Sequence, residues 1–307
     1  MDGWTTIAEG LAFPEGPVAC ADGSVIVVEI AAGRITRIAA DGSKSVLAEP
    51  GGGPNGLAFG PDGLLYACNN GGCRWRQWRG MLIPAGKADD YVTGSIDRVD
   101  VTNGKIETLY TTGQGADGTV PLHGPNDIVF DAHGGFWFTD NGKSNTRSKT
   151  ISGVFYAKTD GSSCREVIFP LDGPNGVGLS PDGGTLYVSE TPPGRLWAFD
   201  VVAPGQVALQ PGLRGMTGQL VYGAPGLALF DSLAVEANGN IAVATIGCGG
   251  ISVISPANGL VEFIATDDPF TTNICWGGHD LRTAFVTLGG TGRLVKRPWP
   301  RAGQPLA

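Results

Sequence analysis

The sequence predicts an all-β chain folded as a six-bladed β-propeller. Three observations carry the prediction: a six-fold internal repeat, turn residues spread evenly along the chain, and short runs of Val, Ile, Phe, Tyr and Leu on both sides of each repeated turn. The repeat emerges when PEGPVACADGSVIVVE, PNGLAFGPDGLLYACN, PNDIVFDAHGGFWFTD, PNGVGLSPDGGTLYVSE, FDSLAVEANGNIAVAT and TNICWGGHDLRTAFVT are stacked. The second residue of each is Glu15, Asn55, Asn126, Asn175, Asp231 or Asn273. Seven positions later always stands a turn residue: Asp22, Asp62, His133, Asp182, Asn238 or Asp280. Five of these are followed by glycine (Gly23, Gly63, Gly134, Gly183, Gly239), as a tight hairpin requires where φ is positive. Leu281 breaks the rule in the sixth.

Each unit therefore opens as strand, hairpin, strand, and segments such as SIDRVDV and ETLYTT, or GVFYAKT and REVIFPL, add the outer strands. The units average about 50 residues, the length of a four-stranded blade. The last has room for only three strands before RPWPRAGQPLA, so the N-terminal segment WTTIAEGLAF is expected to supply the fourth and close the ring without an open edge. Residues 1–307 thus read as one domain. Its longest interruption is a lid-like insertion at about 70–95, rich in Trp and Arg; long connections of this kind are commonly binding loops.

The 307 residues include Gly 50 and Pro 21, are 42% hydrophobic and 16% charged, and carry a net charge of −8. That balance gives no case for nucleic acid or an anionic membrane as partner. No apolar run approaches the roughly 18 residues of a membrane span, and MDGWTTIAEG lacks the features of a secretory leader, so a cytoplasmic location is expected. The six cysteines include no CxxC pair and read as small buried hydrophobes in a reducing compartment. There is no GxSxG elbow and no HExxH, and GQGADG at 113–118 lacks the strand-turn-helix context of a nucleotide loop. Oligomeric state is not set by the sequence.

In a propeller the first strand of each blade lines the central channel, so the repeated position becomes a ring of side chains around one axis. Every member of that ring is a carboxylate or a carboxamide. Buried groups of this kind need a common partner. An all-oxygen set with two acids and no Cys or His suits one hard divalent cation, Ca²⁺ first, with Mg²⁺, Mn²⁺ or Zn²⁺ also able to occupy such a site. Because the hairpin turns lie seven residues away, they fall on the far face. The loops at 70–95, 141–152 and 191–194 then return to the ring's own face, where Trp75 and Trp78 could form an aromatic wall.

The runs GPNDIVFDAHGGFWFTD, GPNGVGLSPDGGTLYVSET with GRLWAFDV, DSLAVEANGNIAVAT, TNICWGGHDLRTAFVT and the N-terminal FPEGPV together resemble the gluconolactonase, regucalcin and luciferin-regenerating-enzyme-like family over nearly the whole chain. The resemblance implies a metal held by Glu15, Asn126, Asn175 and Asp231, with Asn55 and Asn273 adjacent or facing substrate. It also implies a hydrolase that opens a small lactone: the cation polarises the ester carbonyl, and Asp231 takes the proton of the attacking water or itself attacks. Phosphotriester hydrolysis, as in the related diisopropyl-fluorophosphatase, or a non-catalytic calcium-binding role are the alternatives. Sugar-lactone enzymes of the family often carry Arg two residues before the Asn of the third unit, where this chain has Gly124. With Trp75, Trp78, Phe13 and Trp276 expected nearby, that departure points to a less polar lactone. His123 and Asp140 complete the expected substrate contacts, although Asp140 also suits a capped strand end.

Overall fold

A computed structural model describes residues 3–208 and 217–305. Six sheets stand around one axis, antiparallel throughout except where Thr112–Gly115 joins Cys164–Leu171 in parallel. Their innermost strands, Pro14–Ala19, Pro54–Phe59, Pro125–Phe130, Pro174–Leu179, Leu229–Val235 and Thr271–Gly277, pack each against the next, and the sixth packs against the first. The expected closure is present: Thr5–Ala8 pairs with Arg293–Pro298 as the outer strand of the sixth blade, so chain start and chain end share one sheet.

Two blades exceed four strands. The third carries an extra hairpin, Thr112–Gly115 with Gly118–Pro121, on its outer edge. In the fourth, Arg195–Ala203 pairs with Gln206–Ala208 at one end and Gln219–Gly223 at the other. The apolar core lies between blades, where buried side chains of adjacent sheets interlock, as with Tyr66, Phe130, Phe136 and Phe138 between the second and third. The cysteines are all free, but only Cys68 and Cys164 are fully buried and Cys248 is exposed, so the reading of all six as core residues is corrected.

The far-face turns follow the sequence rule closely. Gly23, Gly63, Gly134, Gly183 and Gly239 all have φ between 70° and 87°, and Leu281, at the one position without glycine, takes φ 54°. Each of these turns is closed by its own backbone hydrogen bond, from Gly23 N to Cys20 O through Leu281 N to Gly278 O.

The C-terminal segment then crosses this face. Gly303 N bonds to Leu281 O, Gln304 N to Val235 O, and Gln304 Nε2 to Ser180 O, so the tail spans the far ends of the sixth, fifth and fourth blades. Arg301 and the Trp299 indole fasten it to the fully buried carboxylate of Glu236, the indole at 2.7 Å. Among the described residues no helix is long and apolar enough to cross a membrane.

Candidate metal centre and its roof

Every innermost strand carries a β-bulge at the repeated position. Pro54 pairs with Asn69 and Leu57 with Ala67, for example, so one extra residue sits on the inner strand between them. The same offset occurs at Glu15/Val18, Pro125/Ile128, Pro174/Val177, Phe230/Leu233 and Thr271/Asn273. A bulge bends its strand and re-aims the side chains at it. Here it turns the ring residue, and in places the next one, toward the axis. Glycine follows the ring residue in three blades because the next blade is too close for a side chain: a Cβ on Gly16 would lie 2.2 Å from Asn55 O, and one on Gly56 2.5 Å from Asn126 O.

Hydroxyl groups at the inner ends of second strands tie one blade to the next. Thr139 Oγ1 accepts from Asp127 N and donates to Asn175 O; Ser189 Oγ accepts from Gly176 N at 2.8 Å and donates to Asp231 O at 2.6 Å. These bonds run through the backbone of the ring residues and leave the carboxyl and carboxamide groups free to serve the axis.

All six ring residues are buried, from Glu15 at 3% exposure to Asn126 at 8%. Asn273 donates through Nδ2 to Glu15 Oε2 at 2.7 Å and accepts Ile274 N at Oδ1, so its carboxamide orients Glu15. Ser232 Oγ approaches Asn175 Oδ1 at 3.4 Å. Among the described residues six buried side-chain atoms lack any hydrogen-bond partner, and two of them are Glu15 Oε1 and Asn126 Oδ1. An acceptor buried without a donor is costly. Two such acceptors in one ring fit a cation as the missing partner.

The ring also contains an acid that the repeat rule did not select. Asp127 follows Asn126, where three of the other five units have glycine, and the bulge turns it inward to 7% exposure. Its carboxyl accepts Ile128 N at 3.0 Å and is pushed up to about 8, first by burial and then by the charge of Glu15. Glu15 itself is pushed up to about 7 by burial, against the donors Asn273, Gly16 and Thr272. Asp231 is raised well above the ordinary carboxylate range by burial and by Glu15. Three buried acids, two of them raised further by the charge of Glu15, are poorly placed without a compensating positive charge. Among the described residues no group of three His, Cys, Asp or Glu side chains is arranged to hold a metal on its own, so a donor set at this ring must include the carboxamides.

Asp140 does not serve the ring. It is fully buried, and its two oxygens accept the N–H groups of His123, Gly124 and Gly142 at 2.7, 2.8 and 2.8 Å. The expectation that it positions substrate is corrected: it caps its strand. Glu29, Asn69 and Glu190 occupy the matching strand ends and accept Ala12 N, Gly53 N and Asp172 N, so four blades pin their lead-in loops with one device. Gly124 admits no side chain, since a Cβ there would lie 2.5 Å from Gly142 O.

Over the ring's face lies a two-stranded hairpin, Cys73–Trp78 with Met81–Lys87. It leaves the second blade, passes over the first, where Trp75 packs at a tilt against Phe13 with ring centres 5.0 Å apart, and reaches the sixth, where Trp78 meets Phe270 edge-on at 6.4 Å and Leu82 N bonds to Gly290 O. A cleft of about 410 Å³ lies beneath its stem, lined by Ala31, Asn69, Gly72, Cys73, Trp75 and Thr93 among others. Tyr91 anchors the returning strand through its hydroxyl to His123 O at 2.8 Å. His123 is half-buried at the same rim, and Asn55 is buried in the ring beside Gly56. Trp276 is elsewhere. It packs at a tilt against Trp299, ring centres 5.1 Å apart, and donates to Val235 O near the far face, so the expectation that it lies near the lactone is corrected.

The SMP-30/gluconolactonase/LRE-like region model matches residues 13–290. The chain belongs to that family. Lactonase drp35 of Staphylococcus saprophyticus is 36% identical over 130 residues, which span 42% of this chain and 38% of that protein's own length. The gluconolactonase of Zymomonas mobilis is 24% identical over 305 residues, covering 92% of this chain and 77% of its own. Among solved structures, a calcium-binding protein, regucalcin, from Agrobacterium tumefaciens superposes with a TM-score of 0.74 at 18% identity, covering 99% of this chain and 96% of its own. At that identity the likeness is one of fold.

Proposed function

We propose that the axial ring binds one divalent cation, Ca²⁺ by preference, through Glu15, Asn126, Asn175 and Asp231, and that the protein hydrolyses small lactones there. The observation that carries this reading is the pair of orphaned acceptors, Glu15 Oε1 and Asn126 Oδ1, in a ring whose acids repel one another. Its kinship with proteins named for lactone hydrolysis supports the reaction type. A cation in this set supplies a Lewis acid for the ester carbonyl.

The chain's own groups supply the rest. Asp231 accepts the proton of the attacking water; unlike Asp127, whose carboxyl accepts Ile128 N, it keeps its oxygens clear of backbone donors. Asn273 holds Glu15 in one rotamer. The hairpin roof, with Trp75 and Phe13, excludes bulk water and offers an apolar surface to the non-reacting part of the ring.

The test is hydrolysis of a panel running from sugar to alkyl and bicyclic lactones, followed by proton release with and without Ca²⁺. Calcium-dependent opening of lactones that is lost in Asp231→Asn supports the reading. Turnover of phosphotriesters alone defeats it, as does calcium binding by calorimetry with no lactone opened.

A further inference from the structure

At the root of the hairpin two lysines converge on one aromatic ring. Lys87 Nζ lies 5.0 Å from the centre of the Tyr91 ring and Lys143 Nζ 5.2 Å. Lys143 comes from the third blade's loop and donates to Asn70 Oδ1 at 3.1 Å and Gly72 O at 3.0 Å, both neutral acceptors. Neither lysine forms a salt bridge among the described residues, where ten ion pairs involve other cations. The carboxylate that acts on Lys143 is Asp140, and its oxygens are taken by three backbone N–H groups. Burial holds the Lys143 ammonium below its ordinary value, as expected of a cation lacking a partner.

The place is the rim of the channel mouth. Asn70 N bonds to Gly53 O, two residues before ring residue Asn55. Asn141, two residues before Lys143, bonds through its N–H to Gly124 O and through Nδ2 to Pro174 O, the neighbours of ring residues Asn126 and Asn175. The hairpin from Cys73 to Lys87 carries Arg74, Arg76, Arg79 and Lys87 with no acid, in a chain of net charge −8. Arg74 on this hairpin is paired with Asp89 at 3.7 Å, whereas Lys143, held by neutral acceptors, and Lys87 on the same Tyr91 ring have no anion among the described residues.

We infer that Lys143 and Lys87, gathered on Tyr91, form an oxyanion subsite that binds a carboxylate of the ligand at the channel mouth. The carboxylate is either pendant on the intact lactone or the one that ring opening creates. The subsite extends the lactonase reading by naming the substrate's charge, and its binding arm stands without it.

Two probes that differ by one carboxylate decide the matter: γ-butyrolactone and γ-carboxy-γ-butyrolactone, with their products γ-hydroxybutyrate and α-hydroxyglutarate. In Lys143→Gln, KM for the carboxylated lactone is expected to rise about tenfold, the loss of one charge-assisted hydrogen bond, with kcat and the neutral lactone little changed. Lys143→Arg should restore it, and Lys87→Gln should show a smaller rise. If ring opening makes the carboxylate that binds, the neutral lactone's KM stays put while inhibition by γ-hydroxybutyrate weakens instead. Calorimetric titration of α-hydroxyglutarate into the calcium-loaded protein, repeated in Lys143→Gln, gives the same answer when no lactone is turned over. Equal losses for both lactones together with a lowered unfolding temperature, or unchanged KM, inhibition and binding, overturn the subsite and leave Lys143 a clamp between two loops.

Discussion

The two ends of the innermost strands answer one six-fold repeat in opposite ways. At the far face each turn is self-sufficient: an Asp or Asn side chain takes the N–H two residues on, a glycine in five blades and Leu281 in the sixth takes positive φ, and one backbone bond closes the loop. At the near face the acids are not satisfied by their own blades: Glu15 leans on Asn273 across 258 positions of chain, Asp231 and Asp127 are raised by burial and then by a third acid, and two acceptors have no donor among the described residues. Repetition at one end lowers energy locally; at the other it concentrates an unmet demand, which marks the functional end of a symmetric fold.

The widest separation between the two ends should come from Asp231→Asn. Lactone hydrolysis is expected to fall about a thousandfold, while the cation-free protein becomes more stable because a repelled buried charge is gone. Initial rates with Ca²⁺ and urea unfolding with a chelator measure the two effects, and a drop in both would place Asp231 among structural residues. Next, Ca²⁺ at about a hundred times its Kd should stabilise the native protein by about 2.7 kcal/mol, and Glu15→Gln should abolish most of that gain. Thermal unfolding at graded calcium reads it; an equal gain in the variant would move the cation off the ring.

A strand-end cap lies between the extremes. Burial pushes Glu29 up, but Arg34, Thr36 and Ala12 N outweigh it and hold the carboxyl below the ordinary range. A depressed native pKa contributes stability that is complete above the ordinary glutamate value and fades as pH falls through the native one. Glu29→Gln should cost roughly 2 kcal/mol at neutral pH and flatten the acid limb of the stability curve, seen in denaturant midpoints from neutral to acid pH. An unchanged acid limb would exclude Glu29 as its source. The smallest effect belongs to the far face. Gly183 has φ 70° and open space around it, so Gly183→Ala should cost about 1 kcal/mol in strain and leave hydrolysis untouched.

What was legible in the sequence divides along the same line. The far turns could be read to the residue, including the exception at Leu281, because turn chemistry is local. The ring could be read because its offset from those turns is constant. Asp127 was missed because the rule took one residue per blade, whereas a bulge presents two; the signal was an Asp where three other units place Gly. The cap formed by Asp140 could be anticipated from its strand-end position, but the three N–H groups it accepts, and the bond from Asn273 to Glu15, join residues that no repeat relates. Trp276 was misplaced because the tail that captures it, around Trp299 and Gly303, belongs to no repeat. The reach of the hairpin to the sixth blade is likewise a long-range contact with no periodic trace.

The tail joining Leu281, Val235 and Ser180 straps together the far ends of three consecutive blades. The ring is thus fastened at two separate places, by that strap and by the strand Thr5–Ala8 zipped to Arg293–Pro298.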